Sequence, residues 1–175
     1  MKADIYSFGD SERILGKALK AYNIPRERVV ILSKCCAGLP DNPGELDLMT
    51  RLQHMSVNDG VMVNRVGLSR KHIFDAVDAS IARLGTYLDV LQIHRNDPDV
   101  PMEEIMKALN DVVDSGRARY IGASSVSSIL WHICALFANR HRDEYLGVSS
   151  HAKHRKAERL APIYQHARLS QLTLP

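Results

Sequence analysis

Residues 69–97 read SRKHIFDAVDASIARLGTYLDVLQIHRND, and this stretch decides the fold. Ile73, Phe74, Val77, Ile81 and Leu84 recur at helical spacing, Ser69 stands where an N-cap belongs, and Gly85 stands where a helix stops. Almost at once Leu88, Val90, Leu91 and Ile93 follow as a short apolar run, the pattern of a strand buried on both faces. A helix feeding such a strand is half of a crossover unit, the device that parallel strands require. The run ends on His94, which packing does not call for. Either it is a core histidine with a satisfied partner, or it sits at a strand end to do chemistry.

The same alternation continues in both directions. Upstream, ERILGKALKAY (12–22) places Ile14, Leu15, Ala18, Leu19 and Tyr22 on one helical face, with Asp10 or Ser11 as cap, and Pro25 breaks the pattern. VVILSK (29–34) then reads as a strand that stops on Lys34. Residues 35–67 carry Gly38, Pro40, Pro43, Gly44 and Gly60 with little periodicity, so a long loop or an insertion is expected there, of the kind that usually serves a site or is disordered. Downstream, PMEEIMKALNDVVDSG (101–116) reads as a helix with Pro101 at its first position, Glu103 and Glu104 at its positive end and Gly116 at its stop. ARYIGASS (118–125) follows as a strand, and a last helix is predicted over 127–139 with Ile129, Leu130, Ile133 and Phe137 inward. The predicted class is α/β with a parallel sheet. Three strands end in polar residues: Lys34, then His94, then Ser124 with Ser125. Parallel strands put those ends on one side, where α/β enzymes build their sites, so the repetition favours the chemical reading of His94.

Composition narrows the setting. The chain has 175 residues, 45% hydrophobic and 25% charged, enough for one domain with a real core or for a piece of a larger one. No stretch approaches the ~20 apolar residues of a membrane span, and the first residues lack a secretory pattern, so a cytoplasmic protein without a membrane partner is expected. Cys35, Cys36 and Cys134 show no metal-ligand spacing and are expected to be reduced thiols, with no metal. The net charge of +3 resolves into +4 over 139–175 and −1 over 1–138. The expected organisation is therefore a domain over 1–138 and a basic, poorly ordered tail over 139–175, solvated rather than bound to nucleic acid.

The segments YSFGDSERILGKALK, VVILSK, GLSRKHIFDAVDASIARLGTYLDVLQIHRND and MKALNDVVDSGRARYIGASS resemble, in this order, the aldo-keto reductases, in particular the fungal aryl-alcohol dehydrogenase and versiconal hemiacetal acetate reductase branch. The resemblance covers roughly residues 4–126. It implies a (β/α)8 TIM barrel, of which this chain would hold about three parallel strands, and reduction of small aldehydes and ketones with NADPH. It also implies roles. Tyr6 matches the general acid that protonates the developing alkoxide, Lys34 the cation beside it, and His94 the residue that orients the carbonyl. Ser124 and Ser125 match the pair that holds the nicotinamide carboxamide.

The resemblance also shows departures. The family's catalytic aspartate lies five residues before the tyrosine, and that position is Met1 here. The strands preceding it, and those whose loops hold the cofactor's phosphates, have no counterpart. These departures predict a truncated reductase with weak or no activity. The rival reading is a non-catalytic fragment that associates with itself or another protein through unpaired sheet edges.

Overall fold

The structure, a computed structural model, describes residues 3–42, 44 and 46–124. The predicted helix over 127–139, the basic tail over 139–175, Met1 and Ser125 lie outside the described residues. In chain order the elements are a 3-10 turn at Tyr6–Gly9, α1 (Asp10–Ala21), β1 (Leu32–Cys35), α2 (Leu48–His54), α3 (Arg70–Leu84), β2 (Leu88–Ile93), α4 (Met102–Asp114) and β3 (Ala118–Ala123). The strands form one sheet in the order β1-β2-β3, and both pairings are parallel. This is the consecutive β/α arrangement expected of a barrel segment.

Alternation along the strands sorts their side chains. Leu91, Ile93 and Ile121 are buried with Ile73, Val77 and Leu84 of α3 and Ile105, Leu109 and Val112 of α4 in one apolar cluster. Each such side chain contributes about 1.5–3 kcal/mol by leaving water. Val90, Gln92 and Tyr120, of the opposite parity, are only half-buried. The expectation that β2 is buried on both faces is met in part: no residue of β2 is exposed, but Val90 and Gln92 are covered less deeply than Leu91 and Ile93.

α3 begins and ends as the sequence implies. Ser69 Oγ accepts from the His72 N–H, and Gly85 at φ 73° closes the helix in the left-handed conformation that glycine takes without strain. At α4 Pro101 is the N-cap, so the helix starts at Met102, one residue later than predicted. Glu104 of its first turn reaches across to accept from the Arg70 N–H at 3.0 Å, joining the starts of α3 and α4.

Three further expectations are refined. β1 starts at Leu32 rather than Val29, because the Ile31 N–H is taken by the Asp89 carboxylate at 2.7 Å and the ladder opens after it. α1 is capped by Gly9, not by a side chain, and its buried positions are Glu12 and Gly16, while Ile14 is 65% and Tyr22 78% exposed. A Cβ at Gly16 would stand 2.6 Å from the Leu84 carbonyl oxygen. Leu15 and Leu19 pack against the apolar core as predicted, and a close helix contact and a buried ion add to them in holding α1 on α3. Of the loop or insertion expected over 35–67, the described residues have the form of an insertion with elements of its own. It contains α2, capped by Asp47, packs Met62 fully inside, and is cross-braced by the Arg65–Asp41 pair.

Candidate active site

Three polar residues meet at the C-terminal ends of the strands. Lys34, the third residue of β1, is 3% exposed. The segment before α1 is attached beside it by one backbone bond, from the Asp4 N–H to the Lys34 carbonyl at 3.1 Å. Ser7 and Phe8 then take φ values of 51° and 53°, and Gly9 takes 88°. This left-handed run turns the chain back into α1 and leaves Tyr6 at the rim, 41% exposed. The Lys34 ammonium donates to the Tyr6 hydroxyl at 3.0 Å. His94 follows β2 directly, its N–H donating to the Cys35 carbonyl at 2.9 Å, and its ring meets the Tyr6 ring edge-on at 6.2 Å between centroids. Ser124 follows β3 in the same way, its N–H donating to the Ile93 carbonyl at 2.9 Å. Of the residues singled out in the sequence, Tyr6, Lys34 and His94 come together, and Ser124 stands at the adjoining strand end. Ser125 and Met1 lie outside the described residues.

The local electrostatics suit proton handling. Partial burial, then the positive charges of Lys34 and Arg95, hold the His94 imidazole below its ordinary value, so the neutral ring prevails near neutral pH. Because Lys34 donates to the Tyr6 oxygen, the phenolic proton is left free to point to a substrate.

Behind this cluster lies a buried polar knot that the sequence did not disclose. Glu12, fully buried, accepts from the Ser33 hydroxyl and from Arg83 Nε at 2.7 Å, and Arg83 also donates to Ser80 Oγ at 3.1 Å. Asp4 lies against it, pushed up to about 8 by burial and by the Glu12 charge, and its Oδ1 accepts from the Ile5 N–H at 2.7 Å. The available signal was Ser33, a polar residue at a helix-facing position of an apolar strand, which requires a partner from α1 or α3.

Comparison with known proteins agrees with this architecture. The family model described as "Aldo/keto reductase family" matches residues 2–161. The chain belongs to the aldo/keto reductase family. A versiconal hemiacetal acetate reductase of Aspergillus parasiticus is 62% identical over 126 residues, covering 72% of this chain and 36% of the relative. An aldo-keto reductase of Alternaria alternata is 51% identical over 128 residues, covering 71% of this chain and 35% of the relative. Among solved structures, a thermostable aldo-keto reductase in complex with the inhibitor epalrestat superposes with a TM-score of 0.56 at 27% identity, covering 76% of this chain and 38% of that one. This aldo/keto reductase chain therefore spans a little over a third of the length of the curated relatives it matches.

The strand ends fit the nicotinamide end of a dinucleotide. Gly122 leaves the sheet surface flat, since a Cβ there would stand 3.2 Å from Gln92 Cγ, and the half-buried Ser124 offers a hydroxyl beside it. Among the described residues no cluster of His, Cys, Asp and Glu is placed to hold a metal ion, and no helix is long and apolar enough to cross a membrane.

Proposed function

We propose that Tyr6, Lys34 and His94 form a carbonyl-reducing site of the aryl-alcohol dehydrogenase type, and that the cofactor is NADPH. The observation that carries this reading is the 3.0 Å bond from the buried Lys34 ammonium to the Tyr6 hydroxyl, with the His94 ring against the same tyrosine. A bound nicotinamide would supply the hydride. Tyr6 gives its hydroxyl proton to the substrate oxygen as the carbonyl carbon is reduced, and the Lys34 charge stabilises the phenolate left behind. His94 orients the carbonyl by hydrogen bonding. Ser124, together with Ser125, holds the carboxamide and sets which face of the ring meets the substrate.

The described contacts would hold a nicotinamide only loosely. Two neutral hydrogen bonds are worth ~1 kcal/mol each, whereas micromolar affinity requires about 8 kcal/mol. Millimolar nicotinamide mononucleotide, titrated into isotope-labelled protein, should shift the amide signals of His94 and Ser124 first. Shifts confined to other parts of the chain, or none at all, would refute the assignment.

A second reading is favoured by one observation: among the described residues β3 is hydrogen-bonded on one edge only. A second copy adding to that edge would make the chain self-associating, which light scattering over a concentration series would register as a rising mass. A constant monomer mass would exclude it.

A further inference from the structure

A cavity of about 270 Å³ opens between the turn that precedes α1, the start of the insertion and one face of α3. It lies apart from the proposed carbonyl site, since none of Tyr6, Lys34, His94 and Ser124 lines it. Its floor is a stripe of α3 that runs from His72 through Ala76 and Ala79 to Arg83, about 16 Å along the helix. The two alanines keep that floor low, and Ala37, Leu39 and Pro40 add apolar surface from the chain after β1. Small-molecule pockets run from about 300 to 1,000 Å³, so only a small occupant fits here.

The lining at the Arg83 end is polar and incompletely bonded. Asp4 is 1% exposed, and of its two carboxyl oxygens only Oδ1 is bonded, to the Ile5 N–H; Oδ2 has no partner among the described residues. Burial, then the Glu12 charge, pushes Asp4 up to about 8, so near neutral pH it is a carboxylic acid with a proton to donate. Arg13 and Arg83 converge beside it. Arg83 Nε and Arg13 Nη1 lie 3.2 Å and 3.3 Å from the point where a Cβ on Gly9 would stand, and Arg83 Cδ lies 2.9 Å from it, so any side chain there would displace them. Arg13 uses Nη1 for Asp10 and the Phe8 carbonyl, and Arg83 uses Nε and Nη2 for Glu12 and Ser80. Arg13 Nη2 and Arg83 Nη1 are left without a described acceptor. The other charged and titratable groups around Asp4 are Glu12 of α1, Cys35 of β1 and Cys36 after it. The rest of the cavity holds the Arg65–Asp41 pair, Asp75 paired with Lys71, and His72, whose burial favours its neutral form.

We propose that this cavity binds a small apolar monocarboxylate, whose carboxylate accepts from the Asp4 carboxyl, Arg13 and Arg83 while its hydrocarbon body lies over Ala76 and Ala79. A carboxylate offers two oxygens with about four lone-pair sites, enough for all three donors, and bonds to an ionised partner are the strong ones. The arginines keep their own carboxylates, so it is the unused N–H groups and the Asp4 proton, rather than a bare positive charge, that select the ligand. The bond from Asp4 exists only while Asp4 keeps its proton. Above about pH 8 an Asp4 carboxylate would repel the ligand, and affinity is lost. The inference goes beyond the carbonyl-reductase reading and does not depend on it.

Sodium benzoate is the probe, titrated to millimolar concentration into isotope-labelled protein. At about pH 6.5 it should shift the Ala76 and Ala79 methyl signals and the Asp4 amide saturably, with nuclear Overhauser contacts from its ring protons to both methyl groups. Benzyl alcohol, which has the same ring without the charge, should leave those signals in place. Arg13→Met should weaken benzoate about tenfold. Raising the pH to about 9 should weaken it about tenfold as well, following the protonated fraction of Asp4. Asp4→Asn, which offers an N–H donor at every pH, should bind equally well at both. Shifts that are absent or centred on His94 and Ser124, equal shifts with benzyl alcohol, binding untouched by Arg13→Met, or a loss at high pH that persists in Asp4→Asn would each overturn the proposal. The contacts to Ala76 and Ala79 in the unsubstituted protein decide the matter even where a variant fails to fold.

Discussion

The backbone N–H of Asp4 donates to the Lys34 carbonyl at 3.1 Å, and two residues later the Tyr6 hydroxyl accepts from the ammonium of that same lysine. One backbone bond and one side-chain bond thus register the segment before α1 against β1. Whatever loosens Asp4 loosens Tyr6, and Asp4 is held by a buried carboxyl group whose charge the site does not tolerate.

That carboxyl gives the first prediction. Its folded value of about 8 lies above the ordinary 3.8, so the folded chain holds a proton that the unfolded chain releases. Stability from this group is complete below about pH 3.8 and is lost as pH rises through about 8. Asp4→Asn, which cannot ionise yet still offers an oxygen to the Ile5 N–H, should therefore be more stable than the unsubstituted chain above pH 8. The gain should be on the order of a few kcal/mol, shrinking toward acid pH. Urea unfolding across that range measures it, and a difference independent of pH would be contrary evidence.

The second prediction concerns His94. Partial burial together with Lys34 and Arg95 lowers its titration below the ordinary 6.5. Its folded form resists protonation, so its contribution to stability is present above pH 6.5 and diminishes as pH falls toward the folded value. Lys34→Met removes one of the two repelling charges and should move the imidazole titration upward, as read from its ring proton resonances. A titration unmoved by Lys34→Met would show that the Lys34 charge does not reach it.

A third prediction lies at the opposite end of the sheet. Arg26 donates to Thr86 Oγ1 at 3.0 Å, to the Val29 and Tyr87 carbonyls at 2.8 and 2.9 Å and to Asp89 Oδ2 at 2.6 Å. Its guanidinium also lies 3.9 Å from the centroid of the Tyr87 ring. It ties the entry to β1 to the entry to β2. Arg26→Ala strips these acceptors of their donor and leaves Asp89 with the Ile31 N–H, so it should cost about 2–4 kcal/mol in thermal or urea unfolding. A cost under about 0.5 kcal/mol, the ordinary surface value, would contradict the assignment.

The parts of the fold that could be read from the sequence are those governed by periodicity and by single residues with one conformational use. Ser69 and Gly85 bound α3 because a hydroxyl cap and a left-handed stop are local chemistry. The sheet was legible because Leu88–Ile93 and Ala118–Ala123 each follow a helix directly. The packing of α1 was legible only in part: Leu15 and Leu19 meet the core as the apolar face predicts, whereas the close approach at Gly16 and the buried Glu12 carry no periodic signal. The excursion over 36–67 was opaque for a similar reason: its stability comes from capping by Asp47 and from Arg65–Asp41, pairings that composition does not reveal. Within the site, His94 was legible as a polar end to an apolar run. Lys34 was legible only as one of three polar strand ends, and Tyr6 became a candidate only through family resemblance, since a tyrosine near the start of a chain looks ordinary alone. Asp4 carries no sequence signal, because its significance depends on what stands beside it in space.

The central claim is that Tyr6 supplies the proton for carbonyl reduction beside Lys34. Its most direct test is transfer of deuterium from NADPH labelled on the nicotinamide ring to an aromatic aldehyde, at millimolar cofactor, with mass spectrometry of the product alcohol. The unsubstituted chain should form deuterated alcohol slowly, and Tyr6→Phe should reduce the rate by about 10²-fold or more while leaving the fold intact. Deuterated alcohol formed equally fast by Tyr6→Phe, or none formed by the unsubstituted chain under these conditions, would contradict that role for Tyr6.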